Sequence, residues 1–529
     1  MDRYFDALRK RAGLLPVLAC VLFAHMAMLG PVLAQEPAGA FAYSQARAAT
    51  PAEAKVRDHA GLFMLDYQDI RLPGNESIDL LGYHILTPVN DWLYLGIGSY
   101  APFLKGEYGG FMAFGVKAHA QRKIAGNLFV NGGLSFGGGG GGKSIAHSVA
   151  LSGTGGYMQG YFGLGYAFSK FSAGVNISHM TFFNSSINNT QINVFFQRPF
   201  SFSSASFGRR GERVTPFAPN SGAQDGGDFG SMITIGLEHY SQINPTGSFK
   251  GAIGAADLQY SKFMSKNRYW FYALGVGYKG LPTYNQAIGG LGYRFSISPR
   301  INLYGQLGIG SAGYAPALID TGSGLLLYPK LIAEYKINKG LGLAFSTGYT
   351  HAIDGSSRNY TFGLALVSHF RLADAAKAQS GMIAGQFKGF RFGLNHETAF
   401  DISYKTLSGA KLNMLVINGQ KTLTDHLYLP IRAGISYQSY RGYPGYGEVS
   451  AGLGLNSKPI GGARLQLFGE VHLGANVQGP IARAAVGIDY GLKKDWVLRG
   501  LAGKTYGKTG FRSTNIAVGL TRRFSVLNY

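Results

Sequence analysis

The feature that most limits the fold of this chain is an alternation of apolar and polar residues sustained over unusually long runs. Between Asn302 and Gly310, Leu303, Leu307 and Ile309 share one face, while Asn302, Tyr304, Gln306 and Gly308 share the other. From Leu325 to Ile337, Leu325, Leu327, Leu331, Ala333, Tyr335 and Ile337 oppose Lys330, Glu334 and Lys336. Leu465, Leu467, Val471 and Leu473 likewise oppose Arg464, Gln466, Glu470 and His472. A period of two is the mark of a strand. These runs reach about 10 to 13 residues, against about 5 or 6 in ordinary strands and about 9–11 for a tilted strand crossing a bilayer. Lipid offers the backbone no hydrogen bonds, so a spanning sheet has to close on itself.

Composition removes the competing classes. Apolar residues make up 46% of the chain, too many for a disordered one. The single cysteine, Cys20, cannot form an internal disulfide. After the N-terminus no apolar run approaches the roughly 20 residues of a membrane helix. A secreted β-solenoid would also be glycine-rich and repetitive, but its repeats would be about 20–45 residues long.

Residues 1–34 read as an export signal. Arg3, Arg9, Lys10 and Arg11 precede the apolar stretch Leu14 to Leu29, and Val32-Leu33-Ala34 offers small residues before Gln35. Cys20 would leave with it. A lipobox reading of Val17-Leu18-Ala19-Cys20 leaves too short an apolar region. Residues 35–59 have no apolar period and read as a flexible periplasmic lead-in.

The remainder repeats. Trp92-Leu93-Tyr94-Leu95-Gly96-Ile97-Gly98 resembles Trp270-Phe271-Tyr272-Ala273-Leu274-Gly275-Val276-Gly277 and, more distantly, Leu427-Tyr428-Leu429-Pro430-Ile431. Asn127-Leu128-Phe129-Val130 matches Asn302-Leu303-Tyr304-Gly305 and Arg464-Leu465-Gln466-Leu467, at offsets of 175 and 162 residues. Each unit closes on a strand ending in Phe, at Phe200, Phe370 and Phe524. Turn signals divide each unit into eight candidate strands. The units span 60–200, 229–370 and 388–529, with linkers at 201–228 and 371–387. The expected fold is an all-β transmembrane antiparallel barrel of about 24 strands from three 8-stranded repeats. Three tandem 8-stranded barrels are the alternative. The small inward residues Gly342, Ala344, Ser346, Gly348 and Thr350 suit a narrow lumen. One large barrel is favoured because it avoids three closures in one membrane. Loops as long as the linkers want a reason: tandem connection, plug or partner contact.

Turn lengths orient the sheet. Short, basic turns such as Lys266-Asn267-Arg268, Ser298-Pro299-Arg300, Asn338-Lys339-Gly340 and Lys493-Lys494-Asp495 belong to the periplasmic side. Longer connections, such as Gly137 to Gly155 and Ser311 to Gly324, belong outside. Trp92, Trp270 and Trp496 each follow a short turn, where the periplasmic aromatic girdle is expected.

Several motifs carry less than they suggest. Gly137 to Gly142 followed by Lys143-Ser144 satisfies a P-loop pattern but has no following helix, so it reads as a loop. Net charge is +22, about +20 without the signal. No nucleic-acid motif accompanies that charge, which would instead attract anions such as lipopolysaccharide phosphates or bias a channel toward anionic solutes. Glu470 with His472, and His351 with Asp354, lack a nucleophile at a defined offset, and metal spacing such as His-Glu-x-x-His is absent. No enzyme activity, cofactor or metal is expected.

With its alternating strands, girdle tryptophans and terminal strand Asn515 to Phe524, the post-signal chain resembles the Gram-negative outer-membrane β-barrel class. That resemblance implies an outer-membrane location, contact with lipid and lipopolysaccharide, and delivery by the barrel-assembly machinery, with Phe524 or Tyr529 as the terminal aromatic. Large members include porins and polysaccharide-export channels. The expected function is a channel for hydrophilic solutes, with export of an exopolysaccharide such as cellulose as the narrower form and a polysaccharide or periplasmic secretion partner. The alternatives are a structural or adhesive surface barrel and, behind it, an outer-membrane hydrolase. Lumen candidates are Tyr304, Gln306, Tyr328, Lys330, Glu334, Lys336, Arg464, Gln466, Glu470 and His472; the tyrosines would stack on sugars or fill space.

Overall fold

The computed structural model describes residues 56–528 except 73, 75, 141–154, 170, 186, 215–229, 283, 339–340, 371–384, 406, 441–444, 461–463 and 493–494. The export signal, nearly all of the lead-in, half of the first linker, most of the second and Tyr529 lie outside the described residues.

The chain forms three closed eight-stranded antiparallel barrels. Each closes when its first and last strands pair. In the first barrel, Val56–Arg71 pairs with Asn188–Ala205 from Val56↔Ala205 to Gln68↔Asn193. In the second, Ser231–Gln242 pairs with Arg358–Phe370 from Ser231↔Phe370 to Gln242↔Asn359. In the third, Gly385–Tyr404 pairs with Arg512–Asn528 from Gln386↔Asn528 to Ser403↔Arg512. The expected single 24-stranded barrel is therefore corrected to its tandem alternative. Closing a loop costs entropy that grows with its length, so a unit whose eighth strand already matches its first closes locally. The small inward residues allow it. A Cβ at Gly342 would meet Glu334 Oε1 at 2.4 Å, and one at Gly348 would meet Tyr328 Cε2 at 2.7 Å. Large side chains from the neighbouring strand occupy that space.

Burial is inside-out relative to a soluble barrel. Outward Leu307, Leu331 and Phe345 are 57%, 64% and 62% exposed. Inward Asn302, Glu334 and Thr350, on the same strands, are buried. Among the described residues no helix is long and apolar enough to cross a membrane; the crossing elements are strands.

The barrels meet through outward residues that are not exposed. Ile97, Met112 and Phe114 of the first barrel, Leu258, Tyr272 and Leu274 of the second, and Leu415, Ile417 and Ile435 of the third share one buried cluster. Tyr83 and Tyr272 bring their rings to 5.3 Å across the first and second barrels, and Phe136 and Tyr437 reach 5.7 Å across the first and third. The objection to separate closures thus falls away: each barrel covers part of its neighbours' walls. The described part of the glycine run that imitates a P-loop belongs to this junction, while residues 141–144 lie outside the described residues. Gly137 to Gly140 lie in the strand Leu128–Gly140, and a Cβ at Gly138 would stand 2.4 Å from Ser436 O. Where the first two barrels touch, Gly110 has φ +92 and lies against the backbone of Tyr314.

The first linker has a described part. Ala205 and Ser204 pair with Ser525 and Val526, and Arg213 and Val214 pair with Gln386 and Gly385, joining first and third barrels without opening either. Between them the 3-10 turn Phe207–Arg209 buries Phe207 near the guanidinium groups of Arg391 and Arg523, 5.3 and 5.6 Å from its ring centroid. Asp495 accepts a hydrogen bond from the Phe207 amide at 3.3 Å. This segment connects two barrels and also covers the short-turn end of the third.

Candidate functional site

Each lumen holds a buried cluster of charged and hydroxyl groups, placed there because every second residue of a strand faces inward. In the first barrel Asp66 accepts from Lys117 Nζ at 2.9 Å and lies 2.9 Å from His84 Nε2. Tyr100 donates to Asp66 at 3.3 Å and lies 2.7 Å from Gln159 Oε1, and Gln159 donates to Gln68 at 3.0 Å. A second group follows, where His119 Nδ1 lies 2.7 Å from the Tyr161 hydroxyl.

The second lumen is organised around two carboxylates. Glu238 is paired with Lys330 and accepts from Tyr240 at 2.7 Å and Tyr328 at 2.9 Å; Asp257 lies 3.8 Å from the same lysine. Glu334 accepts from Asn302 at 2.8 Å and Tyr304 at 2.6 Å, and is paired with His369.

Arginine dominates the third lumen. Glu397 accepts two hydrogen bonds from Arg483, at 2.8 and 3.0 Å, and others from Arg432 at 2.9 Å and Asn515 at 3.0 Å. Arg432 also pairs with Glu448. Further along, Glu470 pairs with Arg499 and accepts from Tyr428 at 2.8 Å and Gln420 at 3.1 Å. Asp489 bridges Arg499 at 3.2 Å and Arg391 at 2.9 Å, leading to the cap formed by Phe207. The planar guanidinium fork suits such shared carboxylates.

Most sequence-derived lumen residues enter these clusters. Tyr304, Tyr328, Lys330, Glu334, Glu470 and His472 do so directly, with His472 Nε2 3.2 Å from Glu470. Gln306 is buried, and Gln466 accepts from Arg391 at 3.3 Å. Lys336 is half-buried at the end of its strand. Arg464 is corrected: it stands exposed in the turn before Leu465–Asn476, where the strand alternation does not operate. The hydroxyls of Tyr304 and Tyr328 are engaged by carboxylates, so their role is filling and hydrogen bonding within the lumen.

Two girdle residues, Trp92 and Trp496, are 49% and 42% exposed. Trp270 is corrected: it packs at the edge of the inter-barrel cluster, with its ring 5.4 Å from that of Tyr260. Phe524 stacks on Phe390 at 6.3 Å. His351 stacks on Tyr349 at 6.3 Å, and Asp354 accepts from the Ser323 amide at 3.0 Å. Sequence reading missed Asp66, Lys117, Glu238, Arg432, Arg483 and Arg499. Each was detectable as a lone charge in an otherwise apolar or glycine-rich run, as in Phe114-Gly115-Val116-Lys117-Ala118. Among the described residues no group of three or more His, Cys, Asp or Glu could hold a metal ion.

An apolar exterior around sealed polar interiors decides the environment, because a sheet can face lipid with its backbone satisfied only by closing into a barrel. This is a transmembrane β-barrel protein. No family model matches the chain, and no curated protein matches it. Among solved structures, a mutant of the ferric enterobactin receptor from Pseudomonas aeruginosa aligns over 88% of this chain and 80% of its own, at 9% identity and a TM-score of 0.27. OccAB4 from Acinetobacter baumannii aligns over 90% and 99%, at 8% identity and a TM-score of 0.20. A designed transmembrane β-barrel covers 28% of this chain and 99% of its own, at 10% identity and a TM-score of 0.20. Likenesses this faint carry no argument about what the chain does.

Proposed function

We propose that the protein is a non-enzymatic outer-membrane channel for small hydrophilic solutes, with three parallel conduits that stand shut in the described conformation. The observation behind this reading is the chemistry of the lumens. A barrel serving only as a scaffold could be filled with apolar side chains, and replacing buried ion pairs by apolar groups of similar volume is often neutral or stabilising by about 1–4 kcal/mol. Here all three lumens retain buried ion pairs instead: Asp66–Lys117, Glu238–Lys330 and Glu397 with Arg432 and Arg483. Such a pair is a closed gate that water and a small ion can reopen by solvating its two halves. Export of an exopolysaccharide such as cellulose would need a bore wider than a sugar ring, and the tyrosines filling each lumen favour much smaller solutes.

Planar-bilayer recording tests the proposal. The wild type should give small, intermittent currents, and the double variant Glu238→Gln/Lys330→Met, which removes one pair, should raise their frequency. Silence from both proteins at every voltage would overturn it. The second reading, a structural or adhesive surface barrel, draws on one observation: large side chains, including Tyr100, Tyr240, Tyr304 and Arg499, fill the lumens while fully buried. It predicts that trimming the outer loops abolishes attachment and leaves permeability unchanged.

A further inference from the structure

We propose that the rim of the third barrel on the side where the first two barrels carry their longer loops is a binding site for the phosphates of lipopolysaccharide in the outer leaflet. Lys411, Lys504, Lys508 and Arg512 stand exposed there. Lys504 and Arg512 take outward positions on the adjacent strands Trp496–Gly507 and Arg512–Asn528, with Lys504 opposite Thr514 and Tyr506 opposite Arg512. Thr514 pairs in turn with Phe400, whose ring centroid lies 5.5 Å from Lys411 Nζ. Neighbouring strands are about 4.8 Å apart, so Lys504 and Lys411 are separated by roughly 14 Å across four strands, with Arg512 one outward position further up the wall.

The charge is one-sided. Residues 398–412 and 502–514 together contain five basic residues and one acid, Asp401. Among the described residues none of the four named cations is paired with a carboxylate. The first barrel differs at the same rim: Asp69 pairs with Lys105, and Tyr108 donates to Glu76.

What lies beneath the cations selects the ligand. On the same outward face Ile516 and Val518 are more than half exposed, and Val486 and Ile488 continue the apolar wall on the strand Gly479–Gly491. Acyl chains can lie along this wall while phosphates meet the lysines and the arginine fork at its head. The side on which the first two barrels carry their longer loops faces outward, and its leaflet is the one that carries phosphorylated glycolipid. The proposal rests on that orientation and is independent of conduction.

The test uses the full chain folded in detergent and titrated with purified lipopolysaccharide, with bound lipid counted by native mass spectrometry. Each basic residue near a charged surface contributes about 1 kcal/mol, so Lys411→Ala/Lys504→Ala/Lys508→Ala/Arg512→Ala should weaken binding on the order of 1,000-fold. Retention of the mobility difference between unboiled and boiled samples would show that the variant is folded. The milder Lys504→Gln/Arg512→Gln pair should give a smaller loss, and dephosphorylated lipopolysaccharide should bind the wild type weakly. Undiminished binding by the folded variants, equal affinity for the dephosphorylated lipid, or equally tight binding of phosphatidylglycerol would each overturn the proposal. So would an equal loss in Lys266→Ala/Arg268→Ala/Arg300→Ala at the opposite rim.

Discussion

The outward faces of these barrels come in two kinds that the alternation makes identical. On the lipid-facing walls large aliphatic residues stand apart: Leu291, Leu331, Leu473 and Val486 are each more than 60% exposed. On the junction walls residues of the same chemistry, including Met112, Leu274 and Ile417, are almost wholly buried. The difference lies in glycine. Where barrels approach, a glycine lets one backbone reach another; where lipid approaches, a glycine has open space above it. A Cβ at Gly138 would strike the Ser436 carbonyl, whereas a Cβ at Gly469 meets nothing within 4 Å. Association here therefore depends on shape. Lipid is as apolar as leucine, so along these apolar walls it is fit that favours a neighbouring barrel over solvent lipid.

The comparison breaks most sharply at those two glycines. Gly138→Leu should destabilise the fold by about 3 kcal/mol through overpacking against backbone. Gly469→Leu should change stability by no more than about 0.5 kcal/mol; both are measurable as shifts in the denaturant midpoint of gel mobility. Cavity formation comes next. Leu274→Ala at the junction should cost about 2 kcal/mol, near the low end for a buried leucine, and Leu331→Ala on the lipid wall less than about 1 kcal/mol. The smallest expected contrast concerns the tryptophans. Trp270→Phe, which alters an aromatic pair with Tyr260, should cost about 1 kcal/mol, while the same change at the exposed Trp496 should stay within about 0.5 kcal/mol. Equal effects within any of these pairs would mean that the two faces are not energetically distinct.

The same two faces explain what was legible in the sequence. Alternation assigns Leu331 outward and Glu334 inward without reference to any other strand, because period and pleat are local properties. Nothing local says whether the outward partner is lipid or protein, and so Trp270 passed for a girdle residue beside Trp496. Closure is also nonlocal. Pairing Gln68 with Asn193 requires the register of seven intervening connections, none of which appears in the strand pattern itself. The lumen networks stand between these extremes. That Glu470 and His472 face inward follows from the period; that Arg499 reaches Glu470 depends on strands brought together only by the folded sheet. Arg464 failed for the opposite reason, since it precedes the strand whose alternation was extended to include it.

Fusion of the three barrels into one polypeptide has a consequence for how they can change. In a homotrimer every substitution would appear three times, and a mutation tolerated in one subunit would have to be tolerated in all. Here Arg432 and Arg483 occur once, in the third barrel, while Lys117 holds the first and Lys330 the second. Covalent linkage lets each interior hold its own chemistry while fixing their ratio at one to one to one.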